Sequence, residues 1–399
     1  MAKISVRGFE MVASPIRKLV PYANDAKARG VHVYHLNIGQ PDIPTPPAIF
    51  DAMREYTERE SVLPYGPSDG LPELRQAIAE YFGRYGIKLS ADEVFITTGG
   101  SEAIVFAMLA VTDVGDEIIV FEPFYTNYKG FAMMAGIRLV PVTLSVETGF
   151  HLPDKAAIES KITEKTKAIL ICNPNNPTGT VYTREEVEMV AEIAKEHDLF
   201  VLSDEVYREF TFDGKEHTSI LSIKDIEDKA VVLDSISKRF SACGARVGFI
   251  ATHNRQVLET VLKFGQARLC PPTVAQVGAI AGFKTIDDFI KPMMDEYRRR
   301  RDTVFDELSK IPNIVAQKPE GAFYTVVRLP VEDAEDFAIF MLKDFQVDGK
   351  TTMVAPAADF YATPGLGKNE VRIAYVLKEE ELRDAIRILG EGLKAYAER

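Results

Sequence analysis

Short apolar runs rich in Val and Ile alternate with longer stretches of helical periodicity along the chain. EVFITT, DEIIVF, IRLVPVTL, KAILIC, LFVLSDE, AVVLDSI and RVGFIAT follow one another between residues 93 and 252. Their hydrophobicity is continuous, not alternating, which predicts strands buried on both faces, as in a mainly parallel sheet. Between them lie amphipathic patterns such as TREEVEMVAEIAKEHD. There Thr183 stands at an N-cap position with Glu186 three residues on, a capping-box pattern. Strand and helix signals in alternation predict an α/β layered domain.

The last third changes character. IDDFIKPMMDEYRRRRDTVFDELSKI reads as one long helix, GAFYTVVRL and EVRIAYVL as strands, and EEELRDAIRILGEGLKAY as a closing amphipathic helix. Leu382, Ile386, Leu389 and Leu393 share one face of that helix. A second, smaller α+β domain is expected to start near residue 290. A chain of 399 residues has room for it, since domains commonly run to about 100–150 residues. The expected division is 1–45 as an N-terminal arm and part of the small domain, 46–290 as the large domain, and 291–399 as the small C-terminal domain.

Composition narrows the function classes. Hydrophobic residues at 46% and charged residues at 27% are an ordinary globular mix and exclude a mainly disordered chain. The net charge of −12 argues against general nucleic-acid binding, which needs a surplus of Lys and Arg facing phosphates. Arg298 to Arg301 share a helix with Asp295, Glu296 and Asp302, so this basic run reads as a solvated or domain-contact face. Cys172, Cys243 and Cys270 form no CxxC, and His32 and His35 are spaced to face opposite sides of a strand, so no metal site is expected. The opening MAKISVRGFEMVASP has no apolar signal core, and the longest apolar run, Ala103 to Val111, is far below the roughly 18 residues of a membrane span. A cytoplasmic protein that enters no membrane is expected.

Four segments carry candidate chemistry. Gly99-Gly100-Ser101 sits between a strand and a helix, where free N–H groups and the helix dipole suit a phosphate. Asn173-Pro174-Asn175-Asn176-Pro177-Thr178-Gly179 is a stiff polar loop at a strand's C-terminal end, where open α/β sheets bind ligands. Ser203-Asp204-Glu205-Val206-Tyr207 puts an acid at the end of another buried strand, where a carboxylate needs a partner. Ser235-Ile236-Ser237-Lys238 ends a third strand on a lysine, a candidate covalent nucleophile, and Arg246 follows eight residues later.

In this order, GGSEA, NPNNPTG, SDEVY and SxSK with Arg246 resemble the class I/II aminotransferases, pyridoxal-phosphate enzymes of fold type I. NIGQPDIPTP, YGPSDGLPELRQAI and EVRIAYV are similar to further landmarks, so the resemblance covers nearly the whole chain. It is closest in look to the bacterial aspartate aminotransferases. It implies a large domain with a mainly parallel seven-stranded sheet between helices, plus a smaller α+β domain. It implies pyridoxal 5'-phosphate as cofactor, with Lys238 as the lysine that forms the Schiff base and then moves the substrate proton. Asp204 pairs with the ring nitrogen by the same resemblance, Tyr207 and Asn176 bind the ring oxygen, and Tyr125 stacks on the ring. The phosphate falls to Gly100, Ser101, Ser235, Ser237 and Arg246, joined by Tyr65 from a neighbouring subunit, so a homodimer with shared active sites is implied. Arg372, Gly39 and Asn176 take the substrate, Arg372 by its α-carboxylate. The substrates are then an amino acid and a 2-oxo acid such as 2-oxoglutarate. A carbon–sulfur β-lyase on the same scaffold is the alternative. Ser101 stands where the aspartate branch often has a lysine, which leaves Arg17 or Arg268 to read a side-chain carboxylate.

Overall fold

The computed structural model describes residues 2–11, 14 and 16–399. The first strand, β1 (His32–His35), belongs to a small sheet considered below. The apolar runs of the middle of the chain become β2 (Val94–Thr97), β3 (Glu117–Glu122), β4 (Arg138–Thr143), β5 (Thr166–Cys172), β6 (Phe200–Asp204), β7 (Ala230–Ser235) and β8 (Gly248–Ala251). They form one seven-stranded sheet in the order β2-β8-β7-β6-β5-β3-β4. Only β8 runs against its neighbours; the other pairs are parallel.

Side-chain alternation splits these strands between two cores. Ile119, Ile169, Val201 and Val232 enter one, while Ile118, Leu170, Leu202 and Val231 enter the other. Each fully buried aliphatic side chain contributes about 1.5–3 kcal/mol, so a sheet covered on both faces is a rigid base for the loops at its ends. The helix Arg184–Glu196 begins as its sequence predicts. The Thr183 amide donates to Glu186 Oε2 at 2.7 Å, and the Glu186 amide donates to Thr183 Oγ1 at 3.2 Å.

The remaining strands are β9 (Val315–Ala316), β10 (Tyr324–Arg328), β11 (Lys350–Met353), β12 (Ala355–Pro356) and β13 (Glu370–Ala374). Four of them make an antiparallel sheet in the order β12-β13-β10-β9, and β1 pairs in parallel with β11. A third core joins Leu19, Val33 and Leu36 to Met293, Phe337, Ile373 and the predicted stripe Leu382, Ile386, Leu389 and Leu393. The helix Ile286–Leu308 passes from one core to the other: Ile286 lies in the first and Met293 in the third. Its basic run divides. Arg298 and Arg299 pair on the surface with Asp295 and Glu296, whereas Arg300 and Arg301 are buried against Asp42 and Asp213. No helix among the described residues is long and apolar enough to cross a membrane.

Candidate active site

The loops leaving the C-terminal ends of β2, β3, β5, β6 and β7 line one cavity of about 630 Å³. Gly100, Ser101, Tyr125, Asn176, Asp204, Tyr207, Ser235, Ser237, Lys238 and Arg246 all reach its wall, and Gly39 and Arg372 close it from the other side. Of the residues assigned from sequence to the cofactor or the substrate α-carboxylate, only Tyr65 lies elsewhere. It is 79% exposed, beside exposed Val62 and Leu63.

One end of the cavity is built for an anion. The helix Gly100–Val111 starts without a side-chain cap, and its first two residues, Gly100 and Ser101, line the cavity, which leaves N–H groups of its first turn without a side-chain partner there. Gly99 precedes it at φ +77°, and a Cβ there would lie 2.2 Å from Arg246 Nη2. Gly248 is equally constrained, since its Cβ would meet the Gly99 carbonyl carbon at 2.4 Å. Arg246 itself is left-handed at φ +56°. Its guanidinium donates only to carbonyls, Cys243 O at 2.9 Å and Thr98 O at 3.5 Å. Backbone N–H groups, the hydroxyls of Ser235 and Ser237, and a guanidinium with no carboxylate partner among the described residues form a donor set that suits a phosphate. Gly248→Ala is therefore expected to displace the helix start and weaken phosphate binding about 10-fold or more, read as the dissociation constant of a phosphorylated ligand.

The floor holds Asp204, the last residue of β6, which is 7% exposed. Its Oδ2 accepts from Tyr128 Oη at 2.6 Å, and its Oδ1 from the Val206 amide at 3.4 Å. Burial pushes the carboxyl up to about 6, against the opposing pull of these hydrogen bonds. A cationic N–H placed in the cavity would restore its charge. Tyr125 forms a side wall, its Oη accepting from Asn127 Nδ2 at 2.7 Å, and burial raises its phenol to about 12.

Lys238 rises from the one-turn helix Ile236–Arg239 at the end of β7. Its Nζ donates to Gly39 O at 2.8 Å and lies 3.8 Å from Cys243 Sγ. No carboxylate among the described residues forms an ion pair with it. The amine therefore borders the cavity with a single strong contact, to a backbone carbonyl.

Arg372 on β13 is a buried cation that pairs with no carboxylate among the described residues. It is 2% exposed, donates to Asn37 O at 2.7 Å and Asn176 Oδ1 at 3.1 Å, and leaves Nε without a partner. The rings of Tyr324 and Phe360 flank it at 4.6 and 5.1 Å. Burial pulls its pKa down because no carboxylate accompanies it. An entering carboxylate would give this charge the bidentate partner it lacks.

The two side-chain-reading candidates separate. Arg17 lines the cavity, and no described carboxylate pairs with it. Arg268 does not line it; its guanidinium is taken by Glu102 at 3.3 Å and by Ile96 O at 3.2 Å. Sequence reasoning missed three supports. Tyr324 Oη hydrogen-bonds Tyr207 Oη at 2.9 Å, and its hydroxyl fills the space a Cβ on Gly39 would need. Tyr128 holds Asp204, and Asn37 holds Arg372. Tyr128, three residues after Tyr125 and in the first turn of the helix Asn127–Ala135, carried the only local signal.

A family model described as aminotransferase class I and II matches residues 31–389. An aspartate aminotransferase of Sulfurisphaera tokodaii is 33% identical over 373 residues, covering 92% of this chain and 91% of that one. Among solved structures, the Thermus thermophilus aspartate aminotransferase with maleate superimposes with a TM-score of 0.89 at 29% identity, covering 98% of this chain and 100% of the other. An alanine aminotransferase from Pyrococcus furiosus gives 0.90 at 32% identity, with the same coverage. With its fold, its strand-end cavity and these likenesses, the chain belongs to the class I and II aminotransferase family.

Proposed function

We propose that this aminotransferase holds pyridoxal 5'-phosphate, the cofactor its family uses, in the strand-end cavity and passes an amino group from an L-amino acid to a 2-oxo acid such as 2-oxoglutarate. One observation carries the reading: Lys238, Arg246 and Arg372 border one cavity with no carboxylate ion-paired to them among the described residues, around a buried Asp204 whose carboxyl is pushed up to about 6. The residues fit the group. Gly100, Ser101, Ser235, Ser237 and Arg246 would hold its phosphate, and Asp204 the proton on its ring nitrogen. Tyr207 and Asn176 would bind the ring oxygen, and Tyr125 would cover a ring face. When bound, pyridoxal phosphate supplies an aldehyde for an amine and a ring that accepts electrons.

The chain's residues do the rest. Arg372 grips the substrate α-carboxylate, and Gly39 lets it approach because Tyr324 fills the place of a side chain. Lys238, as a free amine bordering the cavity, would take the proton from the substrate α-carbon and hold it for return. Tyr128 keeps Asp204 oriented throughout. The exposed Tyr65, Val62 and Leu63 support a homodimer in which Tyr65 reaches the partner's phosphate site. The three-core packing supports a large domain over 46–290 and a small one formed by 1–45 and 291–399.

Arg17 points to a donor with an acidic side chain, as in the relatives named for aspartate. Arg17→Gln is expected to lower kcat/KM for aspartate about 10- to 100-fold and for alanine less than about 3-fold, the value of one charged hydrogen-bonded contact. Equal losses for both would remove Arg17 from side-chain reading. The function itself is tested with ¹⁵N-labelled amino acids and 2-oxoglutarate. Label appearing in glutamate, with none in ammonia, is the expected result; label released as ammonia without an acceptor contradicts it.

A further inference from the structure

The residue after Lys238 is a cation with every guanidinium nitrogen hydrogen-bonded. Arg239 is fully buried. Its Nε donates to Glu209 Oε1 at 2.6 Å, and its Nη2 to Asp234 Oδ2 at 2.8 Å and Tyr81 Oη at 3.2 Å. Its Nη1 reaches Ser235 O at 3.4 Å, and the rings of Tyr81 and Phe283 lie 4.6 and 5.6 Å from the guanidinium. Tyr81 Oη also donates to Glu209.

These partners come from both halves of the site. Glu209 lies two residues beyond Tyr207, on the segment that leaves β6 after Asp204. Asp234 is the penultimate residue of β7, and its Oδ1 accepts from the Ser235 amide at 2.6 Å. The helix Ile236–Arg239 is a single turn, too short to be stable by its own hydrogen bonds. Its position must be set from outside. The strand ends are already paired by the sheet, with Asp204 opposite Leu233, and the guanidinium adds a side-chain tie that reaches the Asp234 end of β7 and Glu209 beyond β6 at once.

We propose that Arg239 is a positioning residue: its buried fork ties the Lys238 turn to the Asp204–Tyr207 segment and fixes the distance between the amine and the ring-binding residues. The inference rests on the reading of Lys238 as the cofactor lysine. Arg suits this place because two carboxylates and a phenol approach its donors from different directions, which a lysine ammonium cannot match as a fixed plane.

The test uses the cofactor-loaded protein and three variants, Arg239→Gln, Arg239→Lys and Glu209→Gln. Borohydride reduction and peptide mapping first count the sites trapped at Lys238, and kcat is expressed per trapped site, so unfolded or empty protein drops out. Arg239→Gln is expected to lower this normalised kcat about 10- to 100-fold, the usual cost of displacing a reacting group by about 1 Å, with KM changed less than about 3-fold. Arg239→Lys should recover part of the loss. Glu209→Gln, which releases one strand end and leaves Asp234 in place, should give a smaller loss of the same kind. A lower melting temperature with wild-type kcat per trapped site in the two Gln variants would make the cluster purely structural and overturn the proposal. Absence of trapping at Lys238 in the unaltered protein would instead overturn the underlying reading of the site.

Discussion

Lys238→Ala is expected to lower amino transfer by about 10⁴-fold or more, because the proposed mechanism uses this one side chain as both covalent partner and proton carrier. The fold should persist. Lys238 Nζ makes one hydrogen bond within hydrogen-bonding distance of oxygen, to Gly39 O, and forms no ion pair among the described residues. Melting temperature should therefore change by only a few degrees, and cofactor should still bind through the phosphate end of the cavity, but dialyse away more readily. Borohydride should no longer fix it to the chain. A variant that kept a substantial rate, or still yielded a reduced adduct on another lysine, would move the chemistry away from the end of β7.

Arg372→Met is the second large effect, and its signature differs. Loss of a buried, paired charge costs about 2–5 kcal/mol, so kcat/KM should fall about 30- to 4000-fold for every amino acid, whatever its side chain. Stability should hold or rise slightly. The native guanidinium sits among rings and neutral oxygens with Nε unpartnered, so its removal strands no buried carboxylate. Kinetics on aspartate and alanine, beside a thermal melt, check both halves. Arg17→Gln should be selective between those substrates where Arg372→Met is not, and that contrast separates the two carboxylate positions.

The sheet was readable because its strands are buried on both faces, and a run such as KAILIC leaves little else for the chain to be. The direction of β8 was not readable, since RVGFIAT looks the same whichever way it runs. The candidate site was visible where its residues are local: Gly100 and Ser101, Asp204 and Tyr207, Ser235 to Arg246 each announce a strand end. Tyr324 could not be found that way. It meets Tyr207 across 117 residues of sequence, on a different sheet. The pairing of β1 with β11, which carries Gly39 to Lys238, is likewise long-range and set by packing. The emptiness around Arg372 is a property of three-dimensional neighbours alone. Arg300 and Arg301 show the same limit, since a run of four arginines hides which two turn inward.

The most direct test is an absorption titration of the cofactor-loaded protein with single amino acids and no 2-oxo acid present. The account predicts that one or a few amino acids convert the lysine-bound aldehyde form of the cofactor to its amine form, with one 2-oxo acid released per site. A protein that takes up no pyridoxal phosphate, or one whose spectrum persists while pyruvate and ammonia accumulate, would contradict it.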